Sequence, residues 1–227
     1  MVEVLEDIPL DIKPEEIIRS LRLRKPNPQI AEMVNELVKA SAPLARPKAL
    51  YKISYVEKRD GDILEIDGVK FSSRVLRINL NDLNRVFPYV TTCGRELDGI
   101  QISEGDLLKS FCLEAIKMSA LRAAIAYLAE YLQKKYALPK IARMNPGSLE
   151  DWPITEQGPL FSLLGDVEKS IGVTLKPSNL MQPLKSTSGI YFATEVTFES
   201  CQLCPREVCS GRRAAYSTEM AEKYRKL

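Results

Sequence analysis

Residues 49–73, ALYKISYVEKRDGDILEIDGVKFSS, decide the fold class. Apolar and polar side chains alternate along this stretch, as they do in strands that bury one face. Asp60-Gly61 and Asp67-Gly68 interrupt the alternation, and Asp-Gly favours the tight turns that join antiparallel strands. The stretch therefore predicts three short antiparallel strands joined by two hairpin turns.

Helices are predicted on both sides of these strands. Pro14 and Pro28 suit the first turn of a helix, and Asn27 is the predicted N-cap of the second one. The strongest helical pattern covers residues 104–137, where apolar residues recur at spacings of three and four. The predicted apolar stripe consists of Phe111, Ala115, Met118, Leu121, Ile125, Leu128 and Leu132. Cys112 lies beside this stripe and is expected in the core.

Hairpins and helices occur here without a repeating strand–helix–strand order, which predicts an α+β fold. The length suits a single domain over residues 1–227. Within it, residues 1–47 form a helical N-terminal part, and residues 198–227 form a C-terminal tail that contains cysteines.

The composition excludes several classes of function. With 32 basic and 30 acidic residues the net charge is only +2, which gives no support for a nucleic-acid partner. No apolar run approaches the roughly 20 residues that span a bilayer, and no secretion signal is visible, so a cytoplasmic protein without a membrane partner is expected. The chain has no histidine, which excludes Ser–His and Cys–His nucleophiles and every metal site that uses histidine.

The loop within residues 142–165, ARMNPGSLEDWPITEQGPLFSLLG, combines an arginine with a Pro-Gly step. Pro146 restricts one backbone dihedral, and Gly147 allows a positive φ or the close approach of a ligand. Arg143 presents a planar guanidinium that suits a carboxylate or a phosphate. From this pattern alone, a surface connector and an anion-binding loop both remain open.

Residues 143–192, about a quarter of the chain, resemble one known family. The shared order is R-x-x-P-G, then P, then L-F-x-L-L-x-x-V-E-K-x-x-G-V-x-L, then S-x-x-M-x-P and S-G-x-Y-F. It is similar to the reactivation domain of cobalamin-dependent methionine synthase, the module that binds S-adenosylmethionine. The matching residues are Arg143, Pro146, Gly147, Pro153, Leu163, Leu164, Val167, Glu168, Lys169, Gly172, Leu175, Ser178, Met181, Pro183, Ser188, Gly189, Tyr191 and Phe192.

The resemblance implies a C-shaped α+β domain with a twisted antiparallel sheet flanked by helices. In the family this domain repairs cobalamin that has been oxidised to inactive cob(II)alamin. It presents S-adenosylmethionine, a flavodoxin-like protein supplies an electron, and the methyl group moves to cobalt. Cob(I)alamin is a strong nucleophile and the sulfonium leaves readily, so the domain must position the methyl group and needs no general base. The lack of histidine is compatible with this role.

The expected function is that of a stand-alone reactivation module. The chain contains no module for homocysteine, folate or cobalamin, so it is expected to act on a separate cobalamin-dependent methionine synthase that lacks its own reactivation domain. It would be an accessory component of that methyltransferase, without a complete active site. Two alternatives remain open: a reductive activator of another corrinoid methyltransferase, and a non-catalytic interaction module whose pocket has decayed.

The resemblance also implies which residues bind S-adenosylmethionine. Arg143 is expected to bind the carboxylate of the ligand, and the backbone of Asn145, Pro146 and Gly147 to hold its amino-acid and adenine ends. Ser148 stands where the family usually has a tyrosine.

Two further ligand contacts are expected. The family places an acid on its long helix, and Glu130 lies one turn beyond the aligned Ala126. Tyr191 is a further candidate contact, although its position within a strand also suits a role in the core.

The tail contains Cys201, Cys204 and Cys209 in the order CQLCPREVC, with two and then four intervening residues. The C-x2-C spacing allows two thiolates to reach one metal ion, and Cys93 could supply a fourth ligand. A zinc or iron–sulfur centre, a redox-active thiol pair and reduced structural thiols all remain open. A metal centre here would suit the transfer of the electron that the repair reaction requires.

Overall fold

The computed structural model of the protein describes residues 1–21, 28–195, 197–209 and 211–226, so the predicted N-cap Asn27 lies outside the described residues. The helices in this part of the chain are α1 Pro14–Ser20, α2 Pro28–Ser41, α3 Arg74–Asn79, α4 Leu107–Lys135, α5 Gln157–Leu164, α6 Val167–Ile171 and α7 Thr218–Lys226. The strands are β1 Val2–Leu5, β2 Lys48–Lys52, β3 Ser54–Asp60, β4 Ile63–Ile66, β5 Val69–Ser72, β6 Arg85–Thr92, β7 Ile141–Met144, β8 Thr174–Leu175, β9 Met181–Gln182 and β10 Ser186–Ala193.

Strand β6 lies at the centre of an antiparallel sheet. It pairs with β2 and β3 along one edge and with β10 along the other, and β7 extends the sheet beyond β10. Strand β1 lies beyond β2, while β4 and β5 continue from β3.

The hairpin turns predicted at Gly61 and Gly68 are confirmed, with φ values of +56° and +78°. The chain forms one more strand than predicted here, because a break at Ile53 separates β2 from β3. The mixed helices and antiparallel pairs confirm the α+β fold class.

Helices cover both faces of the sheet. Phe87 and Tyr89 of β6 pack against Leu128 of α4 on one face, whereas Val86 and Val90 point to the other face, among side chains of α3, α5 and α6. This alternation is what a central strand buried on both sides produces. Helices α1 and α2 pack against the first half of α4.

The predicted stripe along α4 is wrong by one position in its first half. Phe111 is 56% exposed, whereas Cys112 and Ile116 are fully buried. The reason is that this half of α4 packs against α1 and α2 rather than against the sheet. Toward the other end, Leu128 and Leu132 are buried as predicted. The core position expected for Cys112 is confirmed.

Among the described residues, the helices lack the combination of length and apolar character that crossing a membrane requires.

Candidate functional site

The loop that follows β7 has a defined turn built on Gly147. Its N–H donates a hydrogen bond to the Trp152 carbonyl over 2.7 Å. Gly147 has a φ of +81°, and a Cβ atom there would lie 2.9 Å from Cδ1 of Ile154. Only glycine meets both requirements without strain. The prediction that Pro-Gly forms a special turn at this point is confirmed.

Asn145 fastens this loop to the sheet. Its Nδ2 donates hydrogen bonds to the hydroxyl of Tyr89 over 2.7 Å and to the carbonyl of Ser188 over 2.6 Å. The loop consequently crosses close above β10, where Gly189 leaves the space it needs. A Cβ atom at Gly189 would lie 2.2 Å from the Met144 carbonyl oxygen.

A cavity of about 350 Å³ opens beside this loop, and we refer to it as the loop cavity. Four of the predicted ligand residues line it: Asn145, Pro146, Gly147 and Ser148. Leu184, residues 186–188 and Arg213 form further walls. Its size lies in the range of sites for small-molecule ligands, and its lining mixes backbone, hydroxyl, amide and apolar groups as such sites do.

Gln157 connects two sides of the loop cavity, and sequence analysis did not identify it. This buried side chain donates from Nε2 to the Asn179 carbonyl over 2.9 Å and accepts a hydrogen bond from the Ser188 hydroxyl over 3.1 Å. Both polar ends of the amide are thereby satisfied, as burial requires. Gln157 therefore positions the segment around Asn179 relative to β10.

Arg143 lies directly across from Tyr191 in the β7–β10 pair. It is half-buried, and Nη1 donates a hydrogen bond of 2.9 Å to the Tyr191 hydroxyl. The guanidinium carbon also lies 5.8 Å from the centre of that ring. Within the described part of the chain, Arg143 forms no salt bridge with a carboxylate. Arg143 does not line the loop cavity itself. It lies in β7, two residues before Asn145, which does line the cavity.

The two tyrosines beside Arg143 stay protonated. Burial raises the pKa of Tyr89 well above its usual value, and burial also raises the pKa of Tyr191, although the charge of Arg143 opposes that shift. Neither phenol therefore supplies a negative charge near neutral pH. Arg143 forms no direct ion pair among the described residues, and the Glu199 carboxylate acts on its charge only from a longer distance.

The structure places the other two predicted ligand residues differently. Tyr191 is only 2% exposed, its ring lies 4.5 Å from that of Tyr89, and it belongs to the core below α4. Glu130 is exposed on α4 and forms a 2.6 Å ion pair with Lys134. Glu130 is not among the residues that line the loop cavity.

The cysteine-containing tail is folded around Arg212. The guanidinium of Arg212 donates hydrogen bonds to four backbone carbonyls: those of Cys201 and Ala214, both over 3.2 Å, of Cys204 over 3.4 Å, and of Arg206. Arginine carries enough donors in one plane to satisfy such a ring of acceptors. Arg212 thus gives this segment its shape.

The structure shows no metal centre at the cysteines within the described residues. The described residues, which include all five cysteines, contain no group of three or more cysteine, aspartate and glutamate side chains that could bind a metal ion. Cys93 is fully buried, with its thiol directed to the Gly94 carbonyl, and burial raises its pKa to about 12. A thiol that stays protonated is a poor metal ligand. The described residues therefore give no support for a zinc or iron–sulfur centre that includes Cys93.

Comparison with known proteins identifies the fold. No protein-family model matches the sequence, and no curated protein matches it. Among solved structures, the chain is similar to the crystal structure of the MetH reactivation domain bound to AdoHcy, with a TM-score of 0.64 and 18% identity. The similarity covers 88% of this chain and 80% of that one. At this identity the likeness concerns the backbone arrangement. The chain therefore has the fold of the MetH reactivation domain.

Proposed function

We propose that the protein binds S-adenosylmethionine in the loop cavity and supports the reductive methylation of cob(II)alamin carried by a partner protein. The partner is a cobalamin-dependent methionine synthase without a reactivation domain of its own, and a flavodoxin-like protein donates the electron. The protein acts as a stand-alone, cytoplasmic accessory component. Its fold supports the proposal, because the solved reactivation domain with this fold was crystallised with AdoHcy.

The observation that carries the proposal is the charge of Arg143. A half-buried guanidinium normally has a carboxylate partner, since taking a charge partly out of water is costly. Among the described residues Arg143 donates a hydrogen bond to the neutral hydroxyl of Tyr191. The carboxylate of Glu199, which is paired with Arg213, acts on Arg143 without direct contact. An amino-acid ligand supplies the missing carboxylate, and two parallel hydrogen bonds would fix its orientation.

The remaining residues of the site position the ligand. The N–H groups and carbonyls of Asn145, Pro146 and Gly147 offer contacts to its polar groups, and the bonds of Asn145 to β6 and β10 keep this backbone rigid. A rigid site supports the transfer because correct placement of the methyl group removes most of its entropic cost. Proton transfer by a protein side chain is not required.

Two measurements test the proposed function. Calorimetric titration with S-adenosylmethionine is expected to show binding at a single site. Mixing the protein and S-adenosylmethionine with reduced flavodoxin and a cob(II)alamin-loaded methionine synthase that lacks its reactivation domain is expected to produce the absorbance of methylcobalamin. A lack of binding at millimolar ligand would overturn the proposal. Binding without methylcobalamin formation would exclude this partner while the assigned ligand stands.

Ser148→Tyr is expected to tighten the binding of S-adenosylmethionine. Ser148 is exposed and lines the loop cavity, so a larger side chain can be accommodated there. An aromatic ring would stack on the adenine, and stacking of a base on an aromatic side chain contributes about 1–3 kcal/mol. The dissociation constant from calorimetry is expected to fall at least fivefold. Ser148→Leu is the control for added apolar area, and an equal gain with leucine would contradict the stacking explanation.

A further inference from the structure

The loop cavity has one wall from the C-terminal tail. Arg213 lines the cavity together with residues 145–148, although it lies 65 positions beyond Ser148 in the chain. The segment that resembles the methionine synthase family ends at Phe192, so the family pattern assigns nothing to Arg213. No local pattern indicates Arg213 as a ligand residue, because its place depends on how the tail folds back.

Three contacts determine where Arg213 lies. The neighbouring Arg212 is bonded to the carbonyls of Cys201 and Cys204. The backbone N–H of Arg213 donates to the Cys201 sulfur over 3.4 Å. Its Nε donates to the carboxylate of Glu199 over 2.7 Å. The side chain is thereby anchored at both its backbone and the near side of its guanidinium.

The far side of this guanidinium is available. Nη1 and Nη2 of Arg213 make no hydrogen bond to a residue in the described ranges, and about a third of the side chain is exposed, at 35%. Burial raises the pKa of Tyr191, the partner of Arg143, and the charges of Arg143 and Arg213 both oppose that shift. Arg213 lines the loop cavity, Arg143 lies two residues before the lining residue Asn145, and Glu199 forms a direct ion pair only with Arg213.

We infer that Arg213 binds the carboxylate of the ligand together with Arg143, so that the tail completes the binding site. The inference rests on the proposed function, because it concerns the same ligand. Two terminal nitrogens on a planar fork match the two oxygens of a carboxylate. Glu199 acts as a positioning residue, since it holds Nε and so directs the two terminal nitrogens.

The test compares two ligands on each protein variant. S-adenosylmethionine and its decarboxylated form share the adenosine, the sulfonium and the amine, and differ in the carboxylate. The ratio of their dissociation constants measures the carboxylate contact alone, and partial loss of folding reduces the binding of both ligands alike. The ratio is measured by calorimetry for the wild type, Arg213→Ala, Arg213→Lys and Arg206→Ala. Arg206 is the matched control, because it is an exposed arginine of the same tail that does not line the cavity.

The wild type is expected to bind S-adenosylmethionine at least tenfold more tightly than the decarboxylated form. Arg213→Ala is expected to lower this ratio five- to twentyfold, Arg213→Lys to restore part of it, and Arg206→Ala to leave it unchanged. An unchanged ratio in Arg213→Ala, with a wild type that binds both ligands, would overturn the inference and leave the proposed function intact. A wild type that binds neither ligand would overturn both.

Discussion

Gly189→Ala is expected to destabilise the fold and abolish ligand binding together. The added Cβ atom would lie 2.2 Å from the Met144 carbonyl oxygen and 2.7 Å from Nδ2 of Asn145. The first of these atoms belongs to the backbone of β7, so β7 must move away from β10. Overpacking of this kind costs about 1–3 kcal/mol of unfolding free energy. The displacement also breaks the bonds of Asn145 that keep the loop cavity in shape, so the dissociation constant is expected to rise more than tenfold.

Urea denaturation followed by circular dichroism measures the first effect, and calorimetry measures the second. Gly158→Ala provides the control, because no atom outside its chain neighbours and its own helix backbone lies within 4 Å of the Cβ position at Gly158. Gly158 lies in α5, where alanine is favoured over glycine by roughly 0.5–1 kcal/mol, so this control is expected to unfold at the same or a higher urea concentration. Equal unfolding midpoints for Gly189→Ala and the wild type would refute the steric argument.

Arg143→Ala is expected to weaken the binding of S-adenosylmethionine by about 1.5–3 kcal/mol, the range for a hydrogen bond to a charged group. This corresponds to a dissociation constant roughly 10 to 150 times higher. The unfolding free energy is expected to change little, because the variant removes a cation that has no carboxylate partner among the described residues. A large loss of affinity without a matching loss of stability identifies a ligand contact.

Arg85→Ala is the matched control for this experiment. Arg85 is also a strand arginine whose guanidinium lies over aromatic rings, 5.6 Å from the centre of Phe87 and 5.4 Å from that of Tyr136. It is not among the residues that line the loop cavity, so its removal is expected to leave the dissociation constant unchanged. If Arg143→Ala binds the ligand as tightly as Arg85→Ala does, Arg143 has no part in binding.

Local patterns predicted the parts of the fold that depend on local interactions. The Asp-Gly pairs predicted the hairpin turns because the backbone of these turns requires φ values that glycine accepts. The Pro-Gly step likewise predicted a special turn at Gly147, where φ is +81°. The rotation of α4 about its axis was harder to predict, since apolar side chains occur on several of its sides. Packing against α1 and α2 buries the face of α4 that carries Cys112 and Ile116, and which face is buried depends on these tertiary contacts.

The candidate site likewise contains residues that the sequence could indicate and residues that it could not. Asn145, Pro146, Gly147 and Ser148 are consecutive, so one short loop brings them to the cavity and the sequence could indicate them together. The resemblance suggested Glu130, but the structure directs that side chain to solvent beside Lys134. Other parts of the site come from distant segments. Gln157 and Arg213 reach the cavity through contacts that join separate elements, and no local pattern carries that information.

The bonds of Arg212 have a consequence for how the protein responds to its chemical surroundings. A guanidinium keeps its charge at every pH that cells experience and does not change its oxidation state. Because Arg212 satisfies the carbonyls of Cys201 and Cys204, the shape of the tail is expected to survive chelating agents and thiol reductants. The wall of the loop cavity that Arg213 forms would then keep its place under these conditions.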